Sequence, residues 1–369
     1  MTTWPDRIAA QLDRIRDAGR WRTVRTLDRG TPEAVVTSTG DKVVSFASND
    51  YLGLSQHPTV AAAARDAVDT FGTGAGAARL IVGSRPVHDE LEADLAEWKG
   101  TGAALLFPTG YQANLGVLGA LAAAAPGTLI CSDELNHASI IDGARLAQAD
   151  VAVFPHRDLV ALDQLLVAAA GRPTIVVSDS VFSMDGDLAD VRGLAALCHR
   201  HDALLVLDEA HAVLGPDAPD GTVIVGTLSK TLGAAGGYVA ASRAIIDLLR
   251  NSARSFIFTT AGTPADAAAA RAAIAIVRSD EGGELRARLC ANIERLRPGH
   301  PSPIVPVVVG DEADAVALAE RLLAQGLLVP AIRPPTVAPG TCRLRIALSA
   351  VHDPVDIDRL ASALAERGC

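Results

Sequence analysis

At 369 residues the chain is too long for one simple core, and at about 100–200 residues per domain it predicts two or three. Hydrophobic residues at 49% and charged residues at 21% are the balance of a globular protein rather than a disordered one. The net charge of −10, from 33 basic and 43 acidic side chains, argues against the broad basic face that nucleic-acid binding requires.

Residues 4–18 carry Ile8, Leu12 and Ile15 at helical spacing, which predicts a short amphipathic helix. The Arg- and Asp-rich stretch 1–29 has no apolar h-region, and the longest mainly apolar run, 117–125, is too short to cross a bilayer. The expectation is a cytoplasmic protein with no membrane partner. A hairpin is expected from 34–37 and 43–46 around Thr39-Gly40-Asp41. From about residue 58, helical patterns alternate with short apolar runs at 103–107, 128–132, 151–154, 174–178, 203–207, 223–226 and 237–241. Continuous rather than alternating apolar runs suit strands buried on both faces. The fold class expected is therefore α/β, with a doubly wound, mostly parallel sheet. After residue 280 the pattern changes to strands at 303–309 and 344–348 with helices at 312–325 and 354–366, a smaller α+β domain holding a Pro-stiffened loop at 333–337. This divides the chain into an N-terminal helix-and-strand arm (1–47), a large domain (48–280) and a small C-terminal domain (281–369).

Cys131, Cys198, Cys290, Cys342 and Cys369 are scattered without a CxxC pair, so they are expected to be reduced thiols rather than disulfides or metal ligands. Polar residues instead cluster directly after five of the apolar runs, at 108–111, 133–137, 179–183, 208–211 and 227–230. Ligands of open α/β sheets bind at the carboxyl ends of the strands, so the five clusters describe one site.

Only three of the basic residues are lysine: Lys42, Lys99 and Lys230. Lys230 follows an apolar strand and precedes glycine, which places its amine in a cleft. A desolvated amine has a lowered pKa and can form a Schiff base. Asp208 ends the 203–207 run. A carboxylate there can pair with the protonated pyridine nitrogen of pyridoxal phosphate and keep the ring an electron sink. His211 would face the same cleft and could bond the ring's phenolic oxygen, while His137 could stack on the ring and contact substrate. Gly110 and Tyr111 open a helix whose amides could hold the phosphate, with hydroxyls from Thr227 and Ser183 nearby. A structural cap for Asp208, structural histidines and core packing for Tyr111 stay open as readings. No Gly directly precedes Lys230, no Walker A loop accompanies the DEAH sequence at 208–211, and no strand precedes the glycines at 72, 74 and 76. These features argue against nucleotidase and dinucleotide-binding functions. No His or Cys falls at ligand spacing, so no metal is expected.

With these residues in place the chain resembles the α-oxoamine synthase family, the fold-type-I pyridoxal-phosphate acyltransferases, from about residue 8 to 366. The motifs are Ser48 to Leu54, Thr109 to Asn114, Asn136 to Ser139, Asp179 to Asp187, Asp208 to His211 and Thr227 to Lys230. Ile332 to Val337 and Gly340 to Arg345 are similar to the biotin-pathway branch. The resemblance implies decarboxylative condensation of L-alanine with a pimeloyl thioester of CoA or a carrier protein. It also implies a homodimer in which Thr259 and Thr260 reach the neighbour's cofactor phosphate. Asn49 and Arg345 are expected to hold the alanine carboxylate, and Arg20 and Thr336 the acyl substrate. The alternative is a glycine-using acyltransferase of the same family, against which Pro334-Pro335 argues. The stretch from Asp208 to Lys230 is shorter than the family's usual one by about a helix, and it is expected to form a tight loop.

Overall fold

The structure, a computed structural model, describes residues 2–365. It opens with helix α1 (Trp4–Asp17), started by Thr3, whose side chain accepts the Asp6 amide, and then the hairpin β1 (Glu33–Val35) and β2 (Lys42–Ser45). Two helices follow, α2 (Pro58–Phe71) and α3 (Pro86–Trp98), each with Pro in its first turn, where a missing N–H costs nothing.

The chain then alternates as the apolar runs predict. Strand β3 (Ala103–Phe107) leads to α4 (Gly110–Ala124), β4 (Leu129–Asp133) to α5 (Ala138–Leu146), β5 (Asp150–Phe154) to α6 (Leu159–Ala168), and β6 (Thr174–Asp179) to α7 (Val191–Arg200). Strands β7 (Leu204–Asp208), β8 (Val223–Thr227) and β9 (Gly237–Ala241) complete one seven-stranded sheet of order β3-β9-β8-β7-β6-β4-β5. All neighbours pair in parallel except β9, which is antiparallel to both β3 and β8. No helix intervenes between β7 and β8, in keeping with the loop expected there.

Strand alternation divides the burial between two faces. Val177, Val206 and Val225 pack against Leu118 of α4 and Ile140 of α5, together with Ile246 and Leu249 of α8 (Arg243–Ser252). Val176, Leu205 and Leu207 pack instead against Leu162 of α6 and Leu194 of α7. The short α9 (Arg254–Ile257) precedes α10 (Pro264–Val277), which packs with α3 over the β9 end of the sheet. One run departs from the expectation of burial on both faces. β5 is the sheet's edge strand, and Val151 and Val153 are exposed, because an edge strand has a neighbour on one side only.

The C-terminal part comprises α11 (Asp280–Leu296), β10 (Ile304–Gly310), α12 (Glu312–Ala324), β11 (Leu327–Leu328), β12 (Ala331–Ile332), β13 (Cys342–Ala347) and α13 (Pro354–Ala365). The expected helix 354–366 thus ends at the limit of the described residues, beyond which Cys369 also lies. Its sheet has the order β10-β13-β12, and β2 pairs in parallel with β11, so the N-terminal hairpin is hydrogen-bonded into this half. Two-residue strands such as β11 and β12 are too short to show a period. None of the described helices is long and apolar enough to cross a membrane.

Candidate functional site

The carboxyl ends of the parallel strands bring the polar clusters to one place. Lys230 sits on the turn after β8. That turn is pressed against the 54–55 backbone: a Cβ at Gly233, whose φ is +61°, would come within 2.3 Å of the Ser55 amide nitrogen, so only glycine fits. The Lys230 Nζ lies 2.8 Å from His211 Nε2, and His211 Nδ1 lies 2.6 Å from the Tyr51 hydroxyl. Tyr51 donates to Asn49 Oδ1 at 3.1 Å, and the same oxygen accepts Arg345 Nη2 at 3.0 Å. Arg345 Nε donates to the Ser183 carbonyl.

Burial, with the charges of Lys230, Arg345 and His137, holds His211 well below the usual imidazole pKa. A neutral ring has one donor and one acceptor. Tyr51 already spends its proton on Asn49, so His211 Nδ1–H donates to Tyr51 and Nε2 accepts from Lys230. Burial also lowers the Lys230 amine, against the attraction of Asp208 and Asp179, and Arg345 adds to the lowering. Arg345 is buried and has no carboxylate partner among the described residues. A buried guanidinium in that state is costly unless an anion answers its charge.

A second network lies beside the first. Asn114, buried in α4, donates one N–H to Asp208 Oδ2 at 2.7 Å and another to Ser139 Oγ at 2.9 Å. The Ser139 hydroxyl then donates to His137 Nδ1, 2.7 Å away, which leaves the His137 proton on Nε2. Burial lowers the His137 pKa, with Asp208 opposing and Lys230 assisting. Asp208 Oδ1 accepts the Ala210 amide at 2.9 Å. Asp179 sits in register with Asp208 on the adjacent strand and accepts the His137 amide at 2.7 Å. Burial and the Asp208 charge push its carboxyl well above the usual range.

Of the phosphate candidates, Gly110, Tyr111 and Thr227 lie at the start of α4, whereas Ser183 is seen only at the Arg345 guanidinium, through its carbonyl. Thr109 caps the helix, and Gly110 abuts Thr227, whose hydroxyl is 2.7 Å from Ser229 Oγ. A Cβ at Gly237 would stand 2.4 Å from the Gly110 nitrogen, so β9 passes this helix end with no room for a side chain. Tyr111 is 42% exposed and donates to Asp142, which removes the core-packing reading. Thr259 accepts a 3.4 Å bond from Gln112 of α4, and Thr260 is exposed beside it.

Arg20 and Thr336 are not in these networks. Arg20 pairs with Glu312 at 3.1 Å, and Thr336 lines a cleft of about 600 Å³ with Trp21, Arg22 and Arg333. Pro330, on the same cleft wall, accepts the Arg345 amide, which joins the cleft to the strand that carries Arg345. Sequence reasoning assigned no role to Tyr51, Asn114, Ser139 or Asp179. Each stands within a quoted motif, and an amide inside the Ala- and Leu-rich 110–124 helix was the available signal for Asn114.

Residues 41–364 match the family described as Aminotransferase class I and II. The chain is 45% identical to 8-amino-7-oxononanoate synthase of Geobacter sulfurreducens over 98% of its own length and 97% of the relative's. Among solved structures it is similar to a variant serine palmitoyltransferase from S. paucimobilis with bound PLP and myriocin. That likeness has a TM-score of 0.89 and 29% identity, covering 98% of this chain and 97% of the other. It is also similar to 8-amino-7-oxononanoate synthase from Francisella tularensis, with a TM-score of 0.73 and 25% identity, covering 88% and 98%. A matched fold, a near-complete alignment and a strand-end lysine agree: the chain belongs to the class I and II aminotransferase family and, within it, to the pyridoxal-phosphate-dependent acyltransferases of the α-oxoamine synthase type.

Proposed function

We propose that the enzyme condenses L-alanine with a pimeloyl thioester, releasing a thiol and CO2 and forming 8-amino-7-oxononanoate. The observation that carries this reading is the Lys230–His211–Tyr51–Asn49–Arg345 chain, in which a deprotonatable amine and an unpaired guanidinium share one buried network. Relatives that bear the name of this activity align over nearly the whole chain.

The residues fit pyridoxal phosphate. Lys230 would hold the aldehyde carbon, Asp208 the pyridine N–H, and the Gly110 and Tyr111 amides with Thr227 the phosphate. The crowding of Gly237 against Gly110 keeps side chains out of the phosphate position. His137, neutral and held by Ser139, would lie against the ring face. His211 would border its phenolic side. Bound there, the cofactor supplies an electron sink for negative charge at the alanine Cα.

The protein's own groups do the rest. Arg345 Nη1 has no hydrogen-bond partner among the described residues and, with Asn49, would hold the alanine carboxylate. Lys230 Nζ, whose pKa burial lowers from the ordinary amine value and which His211 orients, accepts the Cα proton. The Cα–acyl carbon bond forms, the carbon–sulfur bond breaks, and the thiolate leaves as thiol with the proton that Lys230 took. The alanine carboxylate then departs as CO2, and a proton from solvent returns to Cα. Thr336, on the cleft joined to the Arg345 strand, and Arg20, paired with Glu312, would meet the far end of the acyl chain.

We infer that the working form is a homodimer. Leu80, Ile81, Val82 and Phe258 are 49–73% exposed. The bond from the Ala261 amide to the Ala77 carbonyl brings these two segments together beside Thr259 and Thr260. A partner that covered this face would bring the two threonines toward its own phosphate site.

The test follows free-thiol release by the cofactor-loaded enzyme, given L-alanine with pimeloyl-CoA, or glycine with acetyl-CoA. Release only in the first mixture supports the proposal, and release only in the second refutes the substrates. If both CoA mixtures are silent and a pimeloyl carrier-protein thioester reacts, the donor is the carrier-bound one.

A further inference from the structure

Lys99, at the C-terminal end of α3, is with Lys230 one of two partly buried lysines among the chain's three. Its Nζ lies 2.6 Å from Glu209 Oε2, with the two side chains 17% and 3% exposed, and 4.2 Å from the centre of the Trp98 ring. Glu209 directly follows Asp208, the last residue of β7, and the two side chains turn to opposite faces. Asp208 turns toward Asn114, and Glu209 toward Lys99 and the buried Tyr238. The Glu209 amide donates to Val225 of β8 at 2.8 Å, and its carbonyl accepts the Ala212 amide at 3.0 Å. The turn 208–213, with Asp208 at one end and His211 within it, is therefore tied at Glu209 by backbone and side chain alike.

An ion pair this deep is a poor source of net stability, because desolvation offsets its attraction and well-packed apolar pairs do as well. What it adds is direction. Tyr238 in turn fills the space above Gly226, where a Cβ would meet its ring at 2.3 Å, so the pair also abuts the strand that leads to Lys230.

We propose that Lys99 is a positioning residue that, through Glu209, pins the 208–211 turn from the far face of the sheet and so fixes Asp208 and His211 relative to Lys230. This rests on the proposed roles of Asp208 and His211 in the site. It assigns function to two side chains that touch neither substrate nor cofactor.

The experiment compares Lys99→Met, Lys99→Arg, the double variant Lys99→Met/Glu209→Leu, and Asp208→Asn as reference. Three quantities are read on each full-length protein: the melting temperature of the cofactor-free form, the dissociation constant for pyridoxal phosphate, and the rate at which the loaded enzyme exchanges the alanine Cα proton with D2O. A displacement of about 1 Å in a catalytic group costs on the order of 100-fold, so Lys99→Met is expected to slow exchange about 10- to 100-fold. It should also weaken cofactor binding and lower the apo melting temperature, because Glu209 is left buried without its cation, whereas the double variant should melt near wild type. Lys99→Arg, which keeps a cation, recovers part of the loss, and the double variant stays slow. Where Lys99→Met does not accumulate as folded protein, the double variant carries the test. Wild-type exchange and cofactor affinity in either the single or the double variant, with Asp208→Asn impaired, overturn the proposal and leave the site reading intact. Wild-type exchange in Asp208→Asn overturns the site reading itself.

Discussion

Asn114 is where the two halves of the site are joined, and its removal has a calculable cost. Its amide donates to the Asp208 carboxylate at 2.7 Å and to Ser139, which in turn holds His137. A hydrogen bond to a charged group contributes about 1.5–3 kcal/mol, or roughly 10- to 100-fold in an equilibrium. Asn114→Ala should slow alanine Cα exchange by that factor, because Asp208 loses its fixed partner and the Ser139 hydroxyl beside His137 loses its donor. Asn114→Asp should be slower still, since a carboxylate would then face Asp208 in a buried site. Ser139→Ala breaks only the branch to His137, and its effect should be the smallest of the three. Exchange measured by ¹H NMR in D2O, with alanine and no acyl donor, isolates proton removal from the later steps. A wild-type rate in Asn114→Ala, or Asn114→Asp faster than Asn114→Ala, would refute the reasoning.

Other expectations follow from single contacts. Lys230→Ala should abolish the cofactor's visible band and alanine exchange together; a variant that kept both would remove Lys230 from the mechanism. Gly237→Ala places a methyl carbon 2.4 Å from the Gly110 nitrogen, and should raise the pyridoxal-phosphate dissociation constant by at least about tenfold in an absorbance titration. An unchanged constant would mean that the phosphate does not sit at the start of α4. His156 lies between Asp133 at 3.0 Å and Asp187 at 2.8 Å. Burial works against its proton, yet these carboxylates push it up to about 9 from 6.5. The folded-state value is the raised one, so this stabilisation is complete below about pH 6.5 and lost as pH rises through about 9, on the order of 2–4 kcal/mol. Melting temperatures between pH 6 and 10 should fall more steeply for wild type than for His156→Gln; parallel curves would exclude the linkage.

What could be read from the chain, and what could not, divides along a physical line. The strand-end residues Lys230, Asp208, His211 and His137 were recognisable because a buried parallel strand is a continuous apolar run, so the first polar residue after it stands out. The sheet and its single site follow from the same signal, and β5 shows its limit: an edge strand can be as apolar as a central one, so the run alone does not reveal the missing neighbour. The partners of those residues come from elsewhere in the chain. Tyr51 reaches His211 from 160 positions away, and Asn114 reaches Asp208 from 94. Neither has a periodicity that announces it, since a buried amide or phenol is defined by what meets it, and only the folded topology determines that. The same reasoning explains Arg345. Its proposed role was open in the sequence because most arginines are paired at the surface. Inside the fold Arg343, two positions earlier, takes Asp185 as its partner, while Arg345 is left with a carbonyl and an amide oxygen. Two arginines on one strand, both buried, thus differ in one respect that matters for chemistry: one charge is already answered by a carboxylate of the protein, and the other has none among the described residues, which is what supports the carboxylate-binding role proposed for it.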